Sequence, residues 1–166
     1  YPPWNYTNAD GSLTGYEIDL THVLCGRMKV KCTIVSQEWN GIIPGLTVGK
    51  YDAIIASMGV TAERKKVIAF SKSYAKAPNG FLTTSDNELR GLADAGNSYD
   101  LTDSPASAQV AIDALKAKLK GKVIGVQTGS TASNFVREYF KGLDIRDYPT
   151  FEQLALDLAN GRLDIG

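Results

Sequence analysis

The chain has 166 residues, 43% of them hydrophobic and 22% charged, which is the composition of a soluble globular protein with one large or two small cores. Lysine plus arginine equals aspartate plus glutamate at 18 each, so charge gives no reason to expect a nucleic acid or an anionic membrane as partner. No apolar run approaches the ~20 residues that a membrane-spanning helix requires.

The first 28 residues predict a turn and a helix. Asp10-Gly11 is typical of a tight turn between two extended pieces. Apolar residues at i, i+4 and i+8 indicate an amphipathic helix over 17–28. Its inward row is expected to be Leu20, Leu24 and Met28. His22, the only histidine, lies off that row, and we expect it to be exposed rather than a base or a metal ligand.

Strand and helix signals alternate up to residue 57. β-Branched residues predict a strand over 32–37, a helix starts near Trp39 within 38–48, and an apolar run predicts a buried strand over 52–57. The resulting β-α-β-α-β order predicts a parallel sheet with right-handed crossovers. Ligand sites in such sheets lie beyond the carboxyl ends of the strands.

The residues after this last strand are typical of an anion site. Gly59 lets the backbone approach a ligand, and Thr61 can cap a short helix that begins near Ala62. Arg64 then lies in the first turn, where a cation opposes the helix dipole. An anion shared by the guanidinium and the unpaired N–H groups would resolve that conflict. The alternative is a Rossmann-like strand and turn with a solvated arginine.

The second half begins with an extended segment over 77–84 and a loop-rich insertion over 86–109, crowded with Ser, Asp, Asn, Gly and Ala. A helix follows over 111–119. Its inward residues are Ile112, Leu115 and Leu119, and its lysines, with Lys120 and Lys122 beyond it, form a solvated face.

A strand over 123–127 then leads into a second candidate anion site. Ser130 is a suitable N-cap for the helix that follows, whose first N–H groups would face an anion. One face of that helix is expected to carry Ala132, Phe135, Val136, Tyr139 and Phe140. The lysine of a phosphate loop is absent, and a plain turn between strand and helix is the alternative. The chain continues as strand, helix and strand over 144–148, 151–158 and 162–165. The core row of the last helix is Phe151, Leu154, Ala155 and Leu158.

The segment 52–74, DAIIASMGVTAERKKVIAFSKSY, resembles the core signature of the bacterial extracellular solute-binding proteins for polar amino acids. The resemblance covers nearly the whole chain, weakens over about 87–109, and is strongest to the lysine/arginine/ornithine, histidine and opine (octopine, nopaline) binders. It implies an α/β, periplasmic binding protein-like fold with two βα lobes, parallel-type sheets, a hinge and a ligand in the cleft. The lobes would span 1–84 and 85–166.

The resemblance also implies a ligand site. Its residues would be Tyr1, Trp39, Ala56, Ser57, Met58, Gly59, Arg64, Gln127, Gly129, Ser130 and Thr131. Arg64, Gly59 and the helix start at Ser130 would hold the ligand's carboxylate. Tyr1 and Trp39 would sandwich its side chain, although two aromatic residues in a lobe core are the alternative. Ala56 and Gly59 stand where the basic amino-acid binders use serines, and this resembles the opine binders, which accommodate a second carboxylate.

The implied function is that of the periplasmic substrate-binding component of an ABC importer for a basic amino acid or an opine. It would close about its hinge and be recognised by a membrane permease. The resemblance further implies a disulfide between Cys25 and Cys32, and we expect a monomer with neither cofactor nor metal. The alternatives are the sensing module of a membrane receptor and a cyclohexadienyl dehydratase-like enzyme.

The ends of the sequence also carry expectations. Tyr1-Pro2-Pro3-Trp4 resembles the family's Y-x-P-[FW] segment, which normally follows a first strand. We therefore expect further chain, including a signal peptide, outside these residues. The acidic groups for the ligand's ammonium and side-chain tip are expected just beyond Gly166 and just before Tyr1.

Overall fold

The computed structural model describes residues 1–91 and 96–166 and divides into two compact units, Tyr1–Lys76 and Ala77–Gly166. The lobe boundary predicted from the sequence falls later, after residue 84. The segment after Lys76 belongs to the second unit because Leu82 and Gly166 exchange two backbone hydrogen bonds, of 2.8 and 2.9 Å. The predicted lobe limits remain a prediction.

The first unit contains a hairpin, three α-helices and a 3-10 turn. Its elements are β1 (Tyr6–Thr7), β2 (Leu13–Thr14), α1 (Tyr16–Met28), a 3-10 turn (Trp39–Gly41), α2 (Ile42–Thr47) and α3 (Ala62–Lys65). β1 and β2 pair antiparallel, and Gly11, at a φ of 85°, closes the turn by donating its N–H to the Asn8 carbonyl. The predicted turn and the helix near Trp39 are both confirmed.

Helix α1 has the predicted length, but the expected inward row is wrong. Leu24 and Met28 are 44% and 62% exposed, whereas Glu17, Ile18 and Cys25 are buried. This face is turned inward because the Glu17 carboxylate is hydrogen-bonded there and Cys25 is joined to Cys32. The expected disulfide is therefore present, and His22 is exposed as predicted.

The two strands predicted in the first unit are not formed. Residues 32–37 and 52–57 lack regular secondary structure, and no strand ladder involving them occurs in the described parts of the chain. β-Branched composition stabilises a strand only where a neighbouring strand pairs with it and buries one face. Val35, for example, is 56% exposed. The parallel sheet expected in this unit is therefore wrong for these residues.

The second unit is built around a parallel strand pair. Its elements are a 3-10 turn (Glu88–Gly91), α4 (Pro105–Lys118), β3 (Val123–Gln127), α5 (Thr131–Tyr139), β4 (Asp144–Tyr148) and α6 (Phe151–Ala159). β3 and β4 pair in parallel from Val123 with Asp144 to Gln127 with Tyr148. The predicted strand over 162–165 contributes only one parallel bridge, between Ile124 and Ile165.

Two apolar clusters hold this unit together. One joins α4 and α5 to the strands through Ile112, Leu119, Ile124, Val126, Val136 and Phe140. The other packs Leu154 and Leu158 of α6 against Leu163. A methyl group on Gly125 would lie 2.5 Å from Leu163 Cδ1, so β3 and this cluster meet at a position without a side chain. The inward rows predicted for these helices are confirmed.

The insertion predicted over 86–109 is shorter than expected. Helix α4 already begins at Pro105, because proline's fixed φ suits the first turn of a helix. Residues 92–95 of the predicted insertion lie outside the described residues. Lys118 and Lys120 are exposed, whereas Lys122 forms a 2.5 Å ion pair with Glu88. Of the helices in 1–91 and 96–166, none is both long and apolar enough to cross a membrane.

Candidate functional site

Three of the predicted site residues meet in the first unit. Arg64 Nη1 donates a 2.6 Å hydrogen bond to the carbonyl oxygen of Gly59. The guanidinium carbon lies 5.4 Å from the centroid of the Trp39 ring, within the range of a cation–π contact. The guanidinium is therefore held on two sides, by a peptide oxygen and by an aromatic face.

Helix α3 sets the position of this arginine. The Thr61 side chain accepts a 3.1 Å hydrogen bond from the backbone N–H of Arg64, as the sequence predicted. The cap fixes the first turn, and Arg64 reaches back over that turn to Gly59. Arg64 is partly buried, and burial lowers its pKa from the ordinary value. Guanidinium groups nevertheless remain charged in proteins near neutral pH.

The buried Glu17 carboxylate holds the segment around Ser57. It was not among the residues predicted from the sequence. Glu17 is fully buried, and its Oε1 accepts hydrogen bonds from the Ser57 N–H at 2.6 Å and the Ser57 hydroxyl at 2.9 Å. The Tyr74 hydroxyl donates to the same oxygen, and the Asn5 amide donates to Oε2. Four donors thus converge on one carboxylate, which satisfies its buried oxygens.

The sequence offers almost no signal for this cluster. An acidic residue in the first turn of a helix ordinarily complements the helix dipole at the surface. The partners of Glu17 lie 12, 40 and 57 positions away, so no local pattern connects them. Tyr74 is the last residue of the signature segment 52–74, and this position is the one feature of the sequence that pointed to a role for Tyr74.

Tyr74 is fixed as a hydrogen-bond donor within the cluster. Burial, followed by the hydrogen bond to the neighbouring Glu17 carboxylate, raises the pKa of Tyr74 to about 12. Its hydroxyl also accepts a 3.1 Å hydrogen bond from the Ser57 N–H. The phenol is therefore protonated near neutral pH and donates to Glu17.

The other predicted residues of the first unit lie in less distinctive surroundings. Ala56 and Met58 are partly buried on either side of Ser57. Tyr1 is 37% exposed, and its backbone nitrogen donates a 2.6 Å hydrogen bond to the Asn5 carbonyl. Tyr1 is thereby tied to the residue whose side chain reaches Glu17.

The predicted residues of the second unit form the turn between β3 and α5. Gly129 adopts a φ of 68°, and the Ser130 hydroxyl donates a 2.7 Å hydrogen bond to the Gln127 carbonyl. The same hydroxyl accepts 3.0 Å from the Ser133 N–H, which confirms Ser130 as the N-cap. Thr131 and the residue after it open the helix, where N–H groups have no intrahelical acceptor. Such a helix start favours an anion.

The predicted residues thus fall into two sets, one in each unit. In the first, Arg64 contacts both Gly59 and Trp39, and in the second, Ser130 contacts Gln127. Each set lies beside the start of a helix. Helix starts of this kind in an α/β framework are typical of proteins that bind small anionic molecules.

Residues 1–147 match the family of bacterial extracellular solute-binding proteins, family 3, and the chain belongs to that family. It is 46% identical over 165 residues to the octopine-binding periplasmic protein of Rhizobium meliloti. It is 35% identical over 166 residues to the L-arginine-binding protein of Pseudomonas aeruginosa. These matches cover 99% of the chain but 56% and 55% of the two relatives, so the chain spans about half of their length.

A solved structure supports the same fold. An ancestral amino acid-binding protein, a precursor of cyclohexadienyl dehydratase, matches with a TM-score of 0.77 and 29% identity. The match covers 99% of this chain and 64% of that one. The expected periplasmic binding protein-like α/β fold class is therefore confirmed.

Proposed function

We propose that this protein binds a basic amino acid or an opine derived from one, outside the cytoplasm, and delivers it to an ABC importer. The observation that carries the proposal is the position of Arg64, charged, partly buried and in contact with both Gly59 and Trp39. A guanidinium can grip a carboxylate through two parallel hydrogen bonds. Every amino acid and every opine offers such a carboxylate.

Each unit supplies donors that suit this anion. In the first, Arg64 would turn one edge of its guanidinium to the ligand while its Nη1 stays on the Gly59 carbonyl. In the second, the helix start at Ser130 and Thr131, beside Gln127 and Gly129, would bind the carboxylate through backbone N–H groups and a hydroxyl.

The side chain of the ligand would contact aromatic residues. The Trp39 ring already contacts the guanidinium of Arg64, and the Tyr1 side chain is partly exposed. An aromatic face over a cationic group contributes ~0.5–2 kcal/mol. Basic amino acids and their opines both carry such a group, and this supports them over acidic ligands.

The choice between a free amino acid and an opine would depend on Ala56, Met58 and Gly59. Ala56 and Gly59 have no polar side chain, and small residues here would give a second carboxylate more room than serines would. The relative that shares 46% of its residues is named for octopine, which supports an opine.

We further propose that the protein binds without turnover and acts as a monomer in the periplasm with a membrane permease as partner. The Gly59 carbonyl and the Trp39 ring orient the Arg64 guanidinium, which can hold a carboxylate but exchanges no proton near neutral pH. Both curated relatives described above are named for binding.

Thermal unfolding of the protein in its full natural length, with each common amino acid and with octopine and nopaline, tests the proposal. A ligand that binds only the folded state raises the melting temperature, and the rise grows with the logarithm of its concentration over its Kd. We expect arginine, ornithine or an opine to stabilise the protein and acidic amino acids not to. If none of these compounds raises the melting temperature, the proposed ligand class is wrong.

A further inference from the structure

Ser57 has a backbone conformation that a serine rarely adopts. Its φ is 46°, in the left-handed region that favours glycine. Such a conformation persists only where surrounding contacts hold it, and at binding sites it is often part of the mechanism. Contacts with neighbouring residues therefore hold Ser57 in this conformation.

The Glu17 carboxylate supplies them. Its Oε1 accepts both the backbone N–H and the hydroxyl of Ser57, at 2.6 and 2.9 Å. Binding the two donors of one residue to one oxygen fixes the orientation of the peptide unit that enters Ser57. Glu17 itself is immobilised, because it is fully buried in helix α1.

The segment fixed in this way leads directly to the proposed ligand site. Gly59 lies two residues after Ser57, and its carbonyl accepts the hydrogen bond of Arg64. A change in φ at Ser57 would turn the Met58 and Gly59 peptide units that follow it. It would thereby move the acceptor that orients the guanidinium.

Two further contacts make this arrangement a rigid cluster. Tyr74 donates to the same Glu17 oxygen and accepts from the Ser57 N–H, and Asn5 donates to the other oxygen. One buried carboxylate therefore links Asn5, Ser57 and Tyr74.

We infer that Glu17 is a positioning residue for ligand binding: it does not touch the ligand, but it holds Ser57 in the left-handed conformation that places Gly59 against Arg64. The inference rests on the proposed function for the part that concerns affinity. The positioning of Ser57 is a property of the free protein and is measurable without a ligand.

The test compares Glu17→Gln with a variant that disturbs the same helix but not the cluster. Glutamine keeps the size of the side chain but loses one of the acceptor oxygens. Ile18→Ala removes a buried apolar side chain from the adjacent position and is the control for general loss of stability. A third variant, Glu17→Gln with Ser57→Gly, lets residue 57 adopt a positive φ without steric penalty.

The first readout is amide hydrogen exchange by NMR in the free protein at full natural length. We expect the Ser57 N–H to exchange faster in Glu17→Gln than in Ile18→Ala, because only the former loses the carboxylate acceptor. Equal exchange in wild type and Glu17→Gln would overturn the inference.

The second readout is the affinity for arginine and for octopine by calorimetry. We expect Glu17→Gln to lower the affinity for arginine or octopine by about tenfold, the size expected when a buried group loses a hydrogen-bond partner. Ile18→Ala should leave the affinity unchanged, and the glycine double variant should recover part of the loss. Faster exchange at Ser57 with unchanged affinity would overturn the positioning role. If wild type binds neither probe, the proposed function fails, and exchange at Ser57 alone decides whether Glu17 holds the segment.

Discussion

Arg64 Nη1 hydrogen-bonds to the carbonyl oxygen of Gly59, five residues earlier, at 2.6 Å. This contact closes the turn between Gly59 and helix α3. The Arg64 guanidinium then lies over the face of the Trp39 ring. The hydrogen bond and the cation–π contact therefore fix the orientation of the guanidinium.

Replacing Arg64 by alanine is expected to weaken arginine or octopine binding by about 2–5 kcal/mol, because a bound carboxylate would lose its charged partner in a desolvated site. Calorimetry on the protein in its full natural length measures the loss. Arg64→Lys should recover only part of it, since an ammonium keeps the charge but not the planar fork.

Lys65→Ala is the matched control for Arg64. It removes a positive charge from the next residue of the same helix, where the side chain is exposed. We expect little change in affinity. A loss below about tenfold for Arg64→Ala, or an equal loss for Lys65→Ala, would contradict the assignment of the carboxylate to Arg64.

Tyr74 is expected to titrate about two pH units above an ordinary tyrosine, because burial and the Glu17 carboxylate raise its pKa from 10.0 to about 12. The folded state keeps this proton where the unfolded state has lost it. The contribution of Tyr74 to stability is therefore complete below about pH 10 and declines as the pH rises towards about 12. Tyrosinate absorbance measured during an alkaline titration reports it.

Tyr74→Phe should abolish that high-pH transition, and Glu17→Gln should lower its midpoint, since one of the two causes disappears. Tyr148 is the internal comparison. Burial, followed by the hydrogen bond to Asp157, raises the pKa of Tyr148, and neither substitution should move it. An unchanged midpoint in Glu17→Gln would mean that burial alone raises the pKa of Tyr74.

Local patterns predicted the parts of the structure whose cause is local. The cap of Arg64 by Thr61 and the cap of Ser133 by Ser130 follow from side chains three residues from their partners. The rows of α5 and α6 follow from helical periodicity, because both helices pack on strands within the same unit.

Features with distant causes were missed. Glu17 meets Ser57 across 40 positions, and the buried face of α1 follows that contact rather than the leucine row. The segment over 52–57 has the composition of a strand but no pairing partner within residues 1–91 and 96–166, so its propensity is not realised. The capped turn that holds Arg64 was therefore easier to predict than the contacts of Glu17.

Removal of the Cys25–Cys32 disulfide is expected to lower the free energy of unfolding by about 2 kcal/mol, because the bond closes a loop of only seven positions. Urea unfolding of Cys25→Ser with Cys32→Ser measures the effect. Cys32 is exposed, so a thiol reductant should destabilise wild type by a similar amount. The double variant should not respond to reductant, and equal stability of wild type with and without reductant would contradict the prediction.

Ser130→Ala should reduce both stability and ligand affinity. Loss of the N-cap of α5 costs about 1 kcal/mol, because the Ser133 N–H loses its acceptor.

Thr150→Ala is a close control, since Thr150 caps α6 in the same unit through the Gln153 N–H at 3.2 Å. The two variants should have similar melting temperatures. Only Ser130→Ala should weaken binding of arginine or octopine, because its hydroxyl and the helix start it orders are proposed to hold the carboxylate. Equal affinities for the two variants would restrict Ser130 to a capping role and leave the carboxylate to Arg64.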